Sequence, residues 1–432
     1  MGSKIVFLGG GSTQFAPALI VDFILARELH GSTIVLVDVD EQKLQTVYQL
    51  GQKLIEAGGA DLTLERTTRR AEALPGADHV IISVEIDRFR LWEQDRRIPA
   101  EHGIPQALGE NGGPGGLLHA MRQIPPIVEI CWDVDNICPD ALVLSLSNPM
   151  SRILRAVNEH TRASIIGLCH EIKGGNEFLA YLLDLPEERL AVRAAGLNHF
   201  SWYLEIHDAE TGEDLYPLVR ERAAERPFAE RLLAADLLRR TGYLSITSDS
   251  HVGEYLENGH VWRSEWAPDV EPIDFFTVYK AHIAELDARL AALVAGDAAP
   301  GEFLEEPSGE IVTEVLAAAA FGRRARFNAF NLPNDGYIGN LPSDCIVEVP
   351  GWMDGKVYGG EAAGALPEPL AGWCANQAAI HELNAKAAMG GDRQAALEAL
   401  LLDPVVPDRA TAEKCLDAML AANRDHLPRF FG

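Results

Sequence analysis

The chain has 432 residues, 47% of them hydrophobic and 23% charged, with a formal net charge of -27. That length and apolar share support one large or two ordinary domains around a substantial core. The acidic balance excludes nucleic acid and anionic membrane as partners, since both require a basic face. No apolar run approaches the roughly 20 residues of a membrane span.

The strand Lys4 enters is not preceded by a basic-then-apolar leader, so a cytoplasmic location is expected. Two apolar runs of strand length, "KIVFLGG" (4–10) and "STIVLVDVD" (32–40), flank an amphipathic segment and predict a β-α-β unit. Further runs follow at 61–67, 79–86, 141–149 and 164–169, separated by helical stretches. Runs apolar on both faces predict a parallel, doubly wound sheet, so the fold class is α/β with an N-terminal Rossmann-type domain. From about residue 195 the alternation is lost. "GLNHFSWYLEIHD" reads as a strand pair, with helical stretches at 216–240, 274–296, 370–402 and 410–424 and a Gly/Pro-rich loop region at 326–368. The expected division is 1–195 for the dinucleotide domain and 196–432 for an α+β substrate and metal domain. No low-complexity linker separates them, so the two are expected to pack intimately.

Gly9, Gly10 and Gly11 follow the first strand and lead through Ser12, Thr13 and Gln14 into a helix. Gln14 stands where a full GxGxxG would have its last glycine. The context still suits a dinucleotide pyrophosphate on the loop amides, and Asp38 ends the second strand where an acid accepts ribose hydroxyls, as for NAD. A doubly wound fold holding another nucleotide, or none, is the alternative. Ligands in such sheets bind beyond the carboxyl ends of the strands. The polar ends are Glu85-Ile86-Asp87-Arg88, Ser147-Asn148-Pro149 and Cys169-His170-Glu171, with His199 closing "GLNHF". The six cysteines (131, 138, 169, 345, 374, 415) lack paired spacing and read as core thiols, which singles out the one at a strand end. Cys169 and His199, converging from two segments, could hold a divalent metal with positions left for substrate oxygens. "ALGENGGPGGLLHAMRQIPP" (107–126) is glycine-dense, which lets a backbone lie against a ligand within reach of Glu110 and Asn111. "SITSDSHVGEY" (245–255) concentrates Asp249, His251, Glu254 and Tyr255, either as proton-transfer groups or as a helix start capped by Ser248 or Asp249.

The ordered set GGGS, GPGG, SNP, GLCH, GLNHF and NLPNDGYIGNLP…VEVP resembles the family 4 glycoside hydrolases, the NAD- and metal-dependent glycosidases, and their relatives the NAD-dependent sulfoquinovosidases. The likeness runs from Gly9 to about Pro404. It implies a redox-elimination route outside the two-carboxylate scheme: oxidation at sugar C3, loss of the C2 proton, departure of the C1 group, water addition and re-reduction. It implies NAD+ and a divalent metal, typically manganese, as cofactors. Cys169 and His199 would be the metal ligands, Asn148 would hold the sugar near O2 and O3, and His170 would protonate the leaving group. Asp249 would take the C2 proton, with Tyr243 or Tyr255 as the alternative. Gly9, Gly11, Ser12, Thr13, Gln14, Asp38 and Glu85 form the expected cofactor set, and Asn148, Arg88, Glu110, Asn198 and Lys173 the substrate set. Trp92 stands where members acting on 6-phosphoglycosides tend to have arginine, while Arg88, Arg90 and Lys173 suit a carboxylate or sulfonate at C6. The expected substrate is a small glycoside anionic at C6 (galacturonide, glucuronide or sulfoquinovoside), with neutral hexosides and 6-phosphoglycosides as alternatives. The resemblance further implies homodimers or homotetramers. A 2-hydroxyacid dehydrogenase and a non-catalytic nucleotide sensor are the competing readings, and neither has a use for Cys169 with His199.

Overall fold

Six strands pair in parallel at the heart of a computed structural model that describes residues 2–225, 231–261 and 274–432. They are β1 (Lys4–Leu8), β2 (Thr33–Val37), β3 (Thr63–Thr67), β4 (His79–Ile82), β5 (Leu142–Ser145) and β6 (Ser164–Gly167). Their order, β3-β2-β1-β4-β5-β6, reverses between β1 and β4 and so opens a ligand crevice at the carboxyl ends of those two strands. Alternate residues of β1, β2, β4, β5 and β6 serve different layers. Val6, Leu8, Val80 and Ile82 pack under the helix Gly113–Ile137, while Ile5, Phe7, Ile34 and Ile81 pack with the helix Ala16–Leu25. That is why these strands read as unbroken apolar runs.

The helix Ala16–Leu25, expected to be amphipathic, has eight of its ten residues buried. It shares its core cluster with Leu290 and Leu293 of the helix Phe275–Ala295 and with Val312 and Val315. Its one buried acid, Asp22, accepts from Ser308 N at 2.9 Å and from the Ser308 hydroxyl, and burial pushes its carboxyl up to about 6.

The second half of the chain extends the same sheet. β7 (Leu190–Leu197), β8 (Phe200–Asp208), β9 (Ala325–Pro333), β10 (Ile346–Asp354) and β11 (Val357–Gly360) make it 11-stranded, with β9-β10-β7-β8 following β6 and β11 on β10. The residue-195 boundary expected from the sequence falls within β7. The join is antiparallel, Gly167 of β6 opposite Asn331 of β9. The segment 326–368, expected to be a loop, contains β10, β11 and nearly all of β9. Its polar residues sit inside the sheet because they satisfy one another: Glu348 on β10 accepts from Asn331 Nδ2 at 3.1 Å. The 370–402 stretch is two helices, Glu368–Gly390 and Arg393–Leu402, parted by Gly391 in a left-handed conformation (φ 64°). Among the described residues no helix is long and apolar enough to cross a membrane.

Candidate active site

The loop after β1 is fixed by its own backbone. Gly9 N and Gly10 N donate to Val37 O at 2.9 and 3.0 Å, and Gly9 has φ 90°. A Cβ there would lie 2.0 Å from Ser83 O of the loop after β4, so only glycine lets the two strand ends approach. Half-buried Asp38 accepts from Gly11 N at 3.0 Å and from Asp40 N at 3.0 Å, which holds its carboxylate over the glycine loop. Ser12 Oγ lies 3.4 Å from Phe15 N, Thr13 Oγ1 donates to Asp287 at 2.6 Å, and Gln14 Oε1 faces Tyr279 OH at 3.5 Å. This cradle suits a pyrophosphate beside a ribose diol, the fit that NAD requires.

At the ends of β5 and β6 the side chains converge. The turn between β7 and β8 is Asn198-His199, with His199 at φ 60°, and it brings His199 Nε2 to 3.4 Å from Cys169 Sγ. Glu171, on the first turn of the helix Glu171–Leu183, and His251, on the short helix Asp249–Val252, complete the group. Ligand atoms of Glu171, His199 and His251 lie within 4.8 Å of one another, and His251 Nε2 is 3.8 Å from Glu171 Oε1. Burial, with His251 nearby, lowers His199 to about 4, so it is a neutral imidazole at pH 7. Burial raises Glu171, but His251, His199, His170 and Arg231 together bring it down to about 2. Burial, reinforced by Glu348 and Glu171, holds the Cys169 thiol far above its ordinary range. A buried thiol facing carboxylates releases its proton to solvent readily only when a cation binds the sulfur in its place, so the donor set fits a divalent metal.

Two supports hold this geometry. Asn111 Nδ2 lies 3.1 Å from His199 Nδ1, and the loop carrying Asn111 is clamped by Glu254, whose Oε1 accepts from the amides of Glu110, Asn111 and Gly112 at 2.6, 3.0 and 3.3 Å. Burial, with the charge of Glu110 beside it, raises Glu254 to about 8. The glycines of this loop admit close protein backbone: a Cβ on Gly116 would lie 2.4 Å from Asn111 C. Behind the turn, Glu348 accepts from Asn198 Nδ2 at 3.0 Å and Ser201 Oγ at 2.8 Å.

His170 points the other way. Its side chain is 55% exposed, and its Nδ1 is 2.8 Å from buried Glu310, whose hydrogen bond raises the imidazole to about 9. Asn148 follows β5, and its buried Oδ1 has no partner, an acceptor left over for a ligand.

Other expected residues have different engagements. Both oxygens of Asp249 accept from the helix Leu232–Thr241, from Leu233 N at 2.8 Å and Ala234 N at 2.9 Å, so its carboxylate caps that helix. Tyr255 is buried against Phe200, its hydroxyl 3.5 Å from Asn198 O. Arg88 pairs with Glu110 at 2.8 Å and Glu85 at 3.4 Å and stacks over Trp92, while Glu85 also meets His119 Nε2 at 3.0 Å. Arg90 pairs with Asp87, and half-exposed Lys173 faces Glu177 at 4.0 Å. Asn198 turns its amide to Glu348. Glu171 and His251 had no metal role in the sequence reading. The signal for Glu171 was its place two residues after Cys169, and the approach of His251 depends on tertiary packing alone.

The model for the family 4 glycosyl hydrolases matches residues 4–185, and that for the family's C-terminal domain matches residues 194–406. The chain is similar to the alpha-glucosidase of Erwinia rhapontici, 34% identical over 99% of each protein. It is 30% identical to an alpha-galacturonidase of Bacillus subtilis over 96% of each, and 29% identical to an alpha-galactosidase of Rhizobium meliloti over 99% of this chain and 89% of that protein. A 6-phospho-alpha-glucosidase from gut microorganisms, crystallised with NAD and Mn2+, shares the fold with a TM-score of 0.84 over 99% of each chain at 23% identity.

Proposed function

The chain belongs to the family 4 glycosyl hydrolases, and from that premise we propose that it is an NAD+- and divalent-metal-dependent glycosidase acting on a small neutral α-hexoside. The observation that carries the reading is the approach of Cys169 Sγ and His199 Nε2 to 3.4 Å at the carboxyl edge of a sheet whose first loop is a dinucleotide cradle. A relative of this fold crystallised with NAD and Mn2+ supports the cofactor pair. Bound NAD+ would supply reversible hydride acceptance from sugar C3, and the cation Lewis acidity toward O2 and O3.

The chain's own residues do the rest. Cys169 and His199 hold the cation, Asp38 accepts the adenosine ribose hydroxyls, and the Asn148 Oδ1 accepts from a sugar hydroxyl. His170, kept protonated by Glu310, gives its proton to the departing oxygen at C1. For the C2 proton we assign Tyr255 in preference to Asp249 because both Asp249 oxygens serve helix amides; burial holds the Tyr255 phenol well above its ordinary range, and its hydroxyl faces Asn198 O.

The charge pairing supports the neutral sugar. A substrate anionic at C6 was expected from Arg88, Arg90 and Lys173. Arg88 is committed to two carboxylates, Arg90 to Asp87, and Lys173 stands half-exposed beside Glu177. The 34% identity to an alpha-glucosidase supports the same choice. A panel of 4-nitrophenyl α- and β-glycosides (neutral, uronic, 6-phospho and 6-sulfo), assayed with NAD+ and Mn2+, tests it. Turnover of α-glucoside or α-galactoside and slower reaction of C2- or C3-deuterated substrate are expected. Preference for an anionic glycoside would overturn the sugar assignment, and activity indifferent to chelation would overturn the metal-dependent route. Tyr255→Phe should abolish C2 proton exchange, whereas Asp249→Asn should retain it.

A further inference from the structure

We propose that Asp22 and Ser308 are positioning residues for the leaving-group acid: acting through Glu310, they tether His170 to the helix that follows the cofactor cradle. The inference rests on the acid role given to His170 above and supplies what holds that acid in place.

The first ground is that His170 and Glu310 do not fix each other. His170 immediately precedes the helix Glu171–Leu183, and with its side chain 55% exposed, packing does not set the turn of its ring. A carboxylate only accepts, so the 2.8 Å contact has Nδ1–H donating to Glu310 Oε1 and leaves Nε2 for the departing oxygen. Glu310 is buried, yet its other oxygen, Oε2, has no partner. One hydrogen bond cannot orient both groups, so the aim of Glu310 comes from its backbone.

That backbone is tied down. Glu310 N donates to Ser308 Oγ at 3.0 Å across Gly309, whose φ of 80° folds the segment back on itself. Ser308 donates twice to Asp22, from its N at 2.9 Å and from its hydroxyl. Just beyond Glu310 the helix Val312–Phe321 begins, and Val312 and Val315 share a core cluster with Leu19, Ile20 and Phe23. The segment 308–310 is therefore fixed on both sides to the helix Ala16–Leu25, which follows the glycine loop.

The place of Asp22 is the third ground. It is the one acid in a helix with eight of ten residues buried, and both of its oxygens serve Ser308. An apolar side chain would suit that core at less cost, so the use of the acid lies in its hold on Ser308.

Kinetics on two glycosides of one sugar test the tether. In Ser308→Ala and Asp22→Ala, kcat for the methyl α-glycoside should fall about tenfold or more with KM within about twofold. The dinitrophenyl α-glycoside, whose leaving group needs no acid, should react at nearly the unaltered rate. Asp22→Asn should rescue the methyl substrate, because its oxygen accepts from Ser308 N and its amide donates to the Ser308 hydroxyl, which still accepts from Glu310 N. NAD+ affinity, C2 proton exchange and the unfolding midpoint check the fold of each variant. A second readout needs no turnover: the downfield proton resonance of His170 Nδ1–H, assigned by its loss in His170→Asn, should vanish in both alanine variants and persist in Asp22→Asn. A retained resonance with unchanged methyl glycoside turnover in both alanine variants overturns the tether while leaving the acid role intact. Equal slowing of both glycosides in those variants, with C2 exchange slowed alike, makes the contacts merely structural and also overturns it. Equal slowing of both glycosides in His170→Asn, where Asp22 and Ser308 are untouched, would instead overturn the acid role itself and the tether's purpose with it.

Discussion

Glu348→Ala, at a residue only 3% exposed, should destabilise the protein by about 3–7 kcal/mol. Its carboxylate accepts from Asn198 Nδ2 (3.0 Å), Ser201 Oγ (2.8 Å) and Asn331 Nδ2 (3.1 Å), donors from the β7–β8 turn, β8 and β9. Removing it leaves two buried amides unpaired at about 1–3 kcal/mol each, while the Ser201 hydroxyl can rotate toward another acceptor. Loss of the side-chain methylene contacts adds about 1 kcal/mol. Against a typical total of about 5–15 kcal/mol this is a large fraction. Glu348→Gln is the control. Its oxygen can serve Asn198 and Asn331, and its amide can donate to Ser201, whose hydroxyl also accepts, so its cost should be about 1 kcal/mol. Urea unfolding followed by tryptophan fluorescence measures both, and Mn2+ affinity should fall in the alanine variant because the Asn198-His199 turn loses its anchor. The reasoning fails if alanine costs less than about 1 kcal/mol or if glutamine is as damaging as alanine.

Asp22→Asn should stabilise the folded chain at neutral pH. Burial raises the Asp22 carboxyl from 3.8 to about 6, so the folded state holds that proton more tightly than the unfolded one. The stabilisation is complete below about pH 3.8 and lost as pH rises through 6, so the variant's gain should reach at most about 3 kcal/mol at pH 7 and vanish near pH 4 in denaturant titrations. Gly9→Ala puts a Cβ 2.0 Å from Ser83 O and should weaken NAD+ at least tenfold in a fluorescence titration; unchanged affinity would remove that loop from the cofactor site. His170→Asn should slow hydrolysis of alkyl glycosides by about 10²–10⁴ and of dinitrophenyl glycosides far less, because a good leaving group needs no acid. Equal losses on both substrates would take His170 out of the acid role.

The parallel half of the fold was legible in the sequence because all its strands but β3 are apolar on both faces, and the runs 4–10, 32–40, 61–67, 79–86, 141–149 and 164–169 each contain a strand. β9 and β10 were hidden because polar residues interrupt them: Asn331 and Glu348 look like loop chemistry until each is seen to satisfy the other across one rung. In the site, Cys169 and His199 stood out by the strand-end rule, and the structure brings them together. Asp249 read either as a proton-transfer group or as a cap of the helix that follows it, with the C2 role implied by the resemblance; the helix it caps begins 17 residues before it in the sequence, at Leu232, where local capping rules do not look. Arg88 shows the same limit, since its partner Glu110 is 22 residues away.

The single sheet bears on how this protein could be divided. A fragment ending before β7 would carry Cys169 and Glu171 and leave the outer edge of β6 without its partner β9. The remainder would carry His199, His251 and five strands whose β9 edge has lost β6. Each piece would hold one of the proposed metal ligands Cys169 and His199 and an unpaired strand edge, the usual template for aggregation. A split version would regain activity only by re-forming the β6–β9 rung at Gly167 and Asn331. Reconstitution would therefore report on sheet assembly before it reported on chemistry.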